Sequence, residues 1–248
     1  RVLFRSEASG KRSQAAAILG GAGAEEIWNP MQRRSLSTCI GMEVAFEAAL
    51  ASAGVSVEDI DAFDFYSCFP VPVELAIDTL EISTNDPRPF SITGGLAYGG
   101  GPGNNYVMHS LATAVQHLRD NREELIMITG VGMANTKHTA TILAAADKVP
   151  SKATGKTVYR LTTGDQEVPV AMEASGTCTI ATYTIEYNRE GEPTNVIYIL
   201  DTAAGERAIA NARHPAAVAT ELLASDPIGR LGELSWDAEL GRQFFALD

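Results

Sequence analysis

Residues 93–106 read Thr-Gly-Gly-Leu-Ala-Tyr-Gly-Gly-Gly-Pro-Gly-Asn-Asn-Tyr, and six of the fourteen are glycine. The stretch before them, residues 88–93, has an extended character. The stretch after them, residues 106–118, is apolar at helical spacing. Strand, glycine-rich loop and helix in that order bring backbone close to something, because Cβ atoms would otherwise stand in the way. Such a loop can hold an anionic or thioester ligand at the N-terminus of the helix it leads into.

Working outward, residues 15–21 form a short apolar run ended by glycine, a buried strand. A helix is expected from Ser37 or Thr38 to Ala53, with Gly54 as its stop and Met42, Phe46, Ala49 and Ala53 on its apolar face. Residues 62–67 read as a second strand, and Pro70 suits the first turn of a helix over 71–80. After the loop helix, residues 125–129 form a strand ended by Gly130-Val131-Gly132, and residues 136–143 return beside it as a hairpin. The order β-α-β-α-β-α-β-β calls for an α/β domain with a mostly parallel five-stranded sheet and helices on its faces. Ligands of such sheets sit at the carboxyl ends of strands, where Ser67, the glycine loop and Gly130 all fall.

The character changes at residues 146–155, a polar linker containing Pro and Gly. Strands are expected over 168–172, 176–187, 195–200 and 207–211, a helix over 215–224, and closing strands over 231–236 and 242–247. This describes a small β-rich domain, barrel-like with one helix. The expected division is 1–6, 7–145, 146–155 and 156–248. Residues 1–6 are read as a sequencing artefact, since Arg1-Val-Leu-Phe-Arg-Ser6 can be back-translated into an adapter end. Something upstream is expected to be missing.

The chain has 248 residues, a formal charge of −12 and 45% hydrophobic content. The acidic balance disfavours nucleic acid and anionic membrane surfaces as partners. There is no apolar run long enough for a membrane span and no secretory signal. Cys39, Cys68 and Cys178 form no CxxC pair, which argues against a disulfide framework and against a cysteine zinc site. Cytoplasm is the expected compartment.

Several motifs carry a resemblance. Tyr66-Ser-Cys-Phe69 stands where the sterol-carrier type of thiolase has His-Asp-Cys-Phe or Asn-Glu-Ala-Phe. Gly94-Gly95, four residues and then Gly100-Gly101-Pro102 match the Gly-Gly…Gly-His-Pro motif, and Gly130-Val131-Gly132 matches the final glycine-rich turn. With Asn104-Asn-Tyr-Val107 and Thr136-Lys-His138, the pattern resembles thiolase-like proteins of type 1, often labelled acetyl-CoA acetyltransferases. The resemblance covers nearly everything after residue 7. It implies the C-terminal half of the thiolase fold followed by that family's additional β-rich domain.

What the resemblance implies is acyl transfer between coenzyme A thioesters, a part of lipid metabolism, with no bound cofactor and acyl-CoA as substrate and partner. The nucleophilic cysteine belongs to the N-terminal half, which becomes an expected partner body; a homodimer is left open. Gly101 stands at the catalytic histidine position, Tyr66 where a His or Asn positions the oxyanion water, and Ile128 where the final acid/base cysteine falls. The chain alone is therefore expected to be inactive. It is also expected to expose apolar surface that the other half would cover.

Catalytic candidates are Tyr66 as a phenolic donor, Cys68, and His138 as a replacement base. Substrate-binding candidates are Gly100, Gly101, Asn104 and Asn105. Each has a plainer reading: a satisfied buried tyrosine, a packing cysteine, a histidine bonded to backbone, and asparagines that cap the helix. His109, His117 and His214 are read as structural. No Walker lysine or GxGxxG fingerprint accompanies the loop, so nucleotide phosphate is disfavoured. The non-enzymatic alternative is a thiolase-like body that binds acyl-CoA or a protein without turnover.

Overall fold

A computed structural model describes residues 14–247 of the chain, so the expected artefact at 1–6 lies outside the described residues. Among the described residues two compact units emerge, one of residues up to 28 with 37–164, the other of residues 29–36 with those from 165 onward.

The first unit contains strands β1 (Ala16–Glu25), β2 (Ala62–Asp64), β3 (Ile126–Gly132), β4 (Lys137–Ala145) and β5 (Thr157–Thr162). Its helices are α1 (Ile40–Ala53), α2 (Pro70–Thr79), the single turn α3 (Leu96–Gly99) and α4 (Tyr106–Asp120). The strand order is β2-β3-β4-β1-β5. The sheet has the expected number of strands, with β5 in place of the one expected at 88–93, and it is mixed. The β2–β3 and β1–β5 pairs are parallel, and the β3–β4 and β4–β1 pairs are antiparallel. The hairpin β3–β4 reverses the chain, and β1 then pairs with the returning strand.

Three further expectations change. Residues 88–93 form no strand, although Phe63 N–H bonds Pro89 O and Phe65 N–H bonds Phe90 O. Pro87 and Pro89 have no N–H to give, and the Asp64 carboxylate takes the N–H groups of Ile92 and Thr93 that a neighbouring strand would need. The second strand stops at Asp64 rather than residue 67. The β-rich unit resumes at residue 165 rather than 156, because residues 157–162, assigned to that unit, form β5 and pair with β1 in the first sheet.

Side-chain alternation divides the first sheet into two faces. On one face Leu19, Ala22, Met127, Ala140 and Ile142 pack with Met42, Phe46 and Ala49 of α1. On the other, Ala16, Ile126, Ile128 and Leu143 pack with Ala114 and Leu118 of α4. The spacing of Met42, Phe46, Ala49 and Ala53 makes α1 a helix buried along one stripe. Gly54 ends it in the left-handed region at φ 70°.

The second unit closes into a barrel of order β10-β8-β7-β6-β9. Its strands are β6 (Gly176–Tyr187), β7 (Pro193–Thr202), β8 (Arg207–Asn211), β9 (Leu231–Asp237) and β10 (Arg242–Leu247), with α5 (Pro215–Ala224) against them. The barrel with one helix is the architecture the sequence suggested. The strand expected over 168–172 reduces to one bridge, Val170 with Arg207. Arg207 is buried and reaches back to the carbonyls of Met31 and Arg34, which fixes residues 29–36 within this unit. Inside the barrel Tyr198 meets Phe245 edge-on at 5.0 Å, and burial pushes its hydroxyl up to about 12.

Candidate functional site

The glycine loop is organised by a buried carboxylate at the end of β2. Asp64 Oδ1 lies within hydrogen-bond reach of Ser91 Oγ (2.8 Å), Thr93 Oγ1 (2.9 Å), Ile92 N (3.1 Å) and Thr93 N (3.2 Å). Thr93 Oγ1 in turn meets the Tyr106 hydroxyl at 2.5 Å, which joins the start of the loop to the start of α4. One carboxylate thus fixes both ends of the loop. Gly95 and Leu96 are held by Thr93 Oγ1 and Ser67 Oγ.

The tip of the loop is open. Gly101 has φ 53°, and a Cβ added there would meet nothing within 4 Å. Glycine is set here by its backbone conformation and not by crowding. Gly100, Asn104 and Asn105 are exposed beside it.

A cleft of about 210 Å³ opens next to this loop, lined by Tyr66, Asn104, Val107, the Gly130–Val131–Gly132 turn, Lys137 and Thr139. The Tyr66 backbone N–H is held by Thr129 Oγ1 at 2.9 Å, and its ring meets Tyr106 edge-on at 5.4 Å. Burial first, then the neighbouring Cys68 and Tyr106, push the Tyr66 hydroxyl up, so it remains a neutral donor. Lys137 carries the cleft's positive charge, with its Nζ 4.9 Å from the centre of the Trp28 ring. Cys68 is half-buried in the link between β2 and α2.

His138 is elsewhere. Lys137 and Thr139 face the cleft, so the alternation of β4 turns His138 to the opposite face of the sheet, under α1. There its Nε2 lies 3.0 Å from Cys39 Sγ and 3.1 Å from the Asn135 carbonyl. The Cys39 thiol also reaches Glu26 Oε2 at 3.1 Å. All three side chains are buried. Of the three catalytic candidates, Tyr66 lines the cleft and Cys68 sits two residues from it, whereas His138 belongs to a separate cluster.

Cys39 and Glu26 were not singled out from the sequence. Helix α1 starts at Ile40, later than expected, with Cys39 as its N-cap residue. Glu26 Oε2 accepts the Gly41 N–H at 2.9 Å, so a carboxylate from beyond β1 does the work that a Ser or Thr cap side chain usually does. These partners lie 13 and 99 residues from Cys39, and no local spacing rule relates them. The helix is capped one or two residues later than expected, at Cys39 in place of Thr38 or Ser37.

With this geometry in view, residues 160–239 match the family model described as the thiolase-like protein type 1 additional C-terminal domain. A monomeric SCP2-thiolase like protein type 1 from Mycobacterium smegmatis is similar over 98% of this chain, at 27% identity and a TM-score of 0.81. The chain spans 53% of that protein's length. Human mitochondrial 3-ketoacyl-CoA thiolase also matches, over 52% of this chain and 30% of its own, at 20% identity and a TM-score of 0.41, too slight a likeness to argue from. No curated protein sequence matches the chain. The fold is thiolase-like. The matched C-terminal domain and the similar structure both resemble thiolase-like proteins of type 1. No helix among the described residues is long and apolar enough to cross a membrane.

Proposed function

We propose that this chain is the coenzyme A-facing half of a thiolase-like acyltransferase, and that by itself it binds acyl-CoA without turning it over. The observation carrying this reading is the make-up of the cleft. It offers a neutral phenol from Tyr66, an amide from Asn104, an ammonium from Lys137 and close backbone at Gly130–Gly132. Those groups suit a thioester carbonyl and a phosphate. No thiol or imidazole is among the described residues lining it. Acyl transfer needs a nucleophile and acid/base groups at the thioester carbon; the family resemblance puts the nucleophilic cysteine in the other half, and Gly101 and Ile128 stand at the positions of the catalytic histidine and the acid/base cysteine.

Exposed Phe69, Val71, Tyr98, Met108 and Met133 belong to the same proposal, since they offer apolar surface for a second thiolase half to cover. A cytoplasmic location is also part of it, because three free cysteines suit a reducing compartment. The net charge of −12 disfavours nucleic acid and anionic membranes as competing ligands.

Isothermal titration of the chain with acetyl-CoA and with free CoA tests the reading, alongside a thioester-consumption assay. Saturable binding without thioester loss is expected, weakened by Lys137→Ala and by Tyr66→Phe. Absence of any heat with either ligand would overturn the binding reading. Thioester consumption by the chain alone would restore the enzymatic one.

A further inference from the structure

On the face of the first sheet away from the cleft, three buried side chains of metal-ligating type converge. The ligating atoms of Glu26, Cys39 and His138 all lie within 4.8 Å of one another. A fourth donor stands with them, the Asn135 carbonyl, 3.1 Å from His138 Nε2 and 3.9 Å from Cys39 Sγ. We propose that these four groups form a site for one divalent cation of borderline softness, with zinc as the best chemical match. The site goes beyond the thioester reading and does not depend on it.

The donor set itself favours zinc. Thiolate, imidazole, carboxylate and carbonyl together suit zinc better than magnesium or calcium, which take oxygen donors throughout. Tetrahedral zinc with bonds of about 2.0–2.3 Å holds its donors roughly 3.3–3.8 Å apart. The observed separations of 3.0 and 3.1 Å require the side chains to open by only about half an ångström, a small torsional adjustment.

The surroundings are built to the same end. Gly41 N–H holds Glu26 Oε2 at 2.9 Å, the kind of supporting bond that fixes a ligating carboxylate. A Cβ at Gly41 would stand 3.1 Å from the His138 ring and 3.2–3.3 Å from the Glu26 side chain, so a larger residue would crowd the cluster. The Asn135 carbonyl is presented by a turn in which Met133 and Asn135 both adopt positive φ, at 58° and 50°. Two non-glycine residues in the left-handed region cost stability, and such strain persists where the surroundings impose it.

There is also an entry path. A cavity of about 230 Å³ reaches Cys39 from the surface, and Glu43, Asp78 and Glu81 are among its lining residues. Three carboxylates in its lining favour cations and disfavour anionic CoA. This favours a cation over a thioester at Cys39. A dication would also match the charges of a Cys39 thiolate and a Glu26 carboxylate, which are expensive to bury uncompensated. With four protein donors the site is of the closed, structural kind. It would tie β1, the start of α1 and the β3–β4 hairpin together.

The test uses the full chain, free of affinity tags and stripped with a chelator, then titrated with Zn²⁺ and in parallel with Co²⁺. One ion retained per chain through gel filtration is expected, with a thiolate-to-cobalt charge-transfer band in the near ultraviolet. The melting temperature should rise by roughly 5–10 °C at a hundredfold excess of Zn²⁺ over Kd. Cys39→Ser and His138→Ala should each abolish the band, while Cys68→Ser leaves it intact. Glu26→Gln keeps an acceptor for Gly41 N–H, so it should preserve the fold yet weaken metal affinity at least about tenfold, which keeps the test decisive if the other variants unfold. No retained ion, no shift in melting temperature, or a cobalt band that survives Cys39→Ser would overturn the proposal. So would acylation of Cys39 when the metal-free chain meets acetyl-CoA, an outcome that would assign the cluster to nucleophilic chemistry.

Discussion

Asp64 is the residue on which the glycine loop depends, and replacing it has a cost that can be worked out from its contacts. Alanine at 64 removes the acceptor for two hydroxyls and two backbone N–H groups, at 2.8–3.2 Å. A buried donor left without a partner costs about 1–3 kcal/mol. Ser91, Ile92 and Thr93 are only half-buried, so water replaces part of the loss. A net cost of about 3–4 kcal/mol is expected for Asp64→Ala. Asparagine keeps an oxygen in the Oδ1 position and loses only the charge assistance, so Asp64→Asn should cost about 1 kcal/mol. Urea unfolding in a Trp236→Phe background measures both, because Trp28 then reports the first unit alone. Limited proteolysis within residues 93–105 should accelerate for Asp64→Ala and stay near the parental rate for Asp64→Asn. A cost below about 1 kcal/mol for the alanine variant would refute the idea that this carboxylate holds the loop.

Two glycines should respond to alanine by different amounts and for different reasons. Gly20→Ala puts a Cβ 2.4 Å from Ala53 N and 2.7 Å from Ser52 C, both backbone atoms, and should cost about 2–3 kcal/mol in the same unfolding assay. Gly101→Ala meets open space and bears only the price of its φ of 53°, about 1 kcal/mol, or a melting temperature lower by roughly 2–4 °C. Asp86 hydrogen bonds Arg88, whose guanidinium holds its carboxyl down to about 2. Its contribution to stability is complete above the ordinary pKa of 3.8 and is lost as pH falls toward 2, so the difference in urea midpoint between the parent and Asp86→Asn should shrink across that window. In calorimetry, Lys137→Ala should weaken free CoA binding by about tenfold.

Much of the first unit was legible because its signals are local. The stripe Met42–Phe46–Ala49–Ala53 and the stop at Gly54 define α1, and Pro70 opens α2. What escaped was non-local. Residues 88–93 look like a strand until the Asp64 side chain is seen to take their N–H groups. Residues 157–162 look like part of the β-rich domain because nothing in their composition shows that β1 has an open edge for them. His138 was picked out as a candidate base, but its residue type does not tell which face of the sheet it occupies. That depends on where β4 begins, and a shift of one residue would have turned it into the cleft. Cys39 and Glu26 left no pattern at all, since their meeting with His138 depends on three elements assembled in space.

The interior position of β1, between β4 and β5, has a consequence for how the chain is made. Its two neighbours, β4 and β5, are encoded more than a hundred residues after it. At about 5–20 residues per second, the ribosome delivers them on the order of 10 s later. Throughout that interval the apolar run 16–24 has no strand partner, and contacts of such long sequence separation form slowly even once both are present. The barrel, by contrast, pairs β6 with β7 and β7 with β8 across short turns. The barrel, translated after the first unit, is therefore able to fold sooner once made, and the first unit carries the longer exposure to aggregation and chaperone capture.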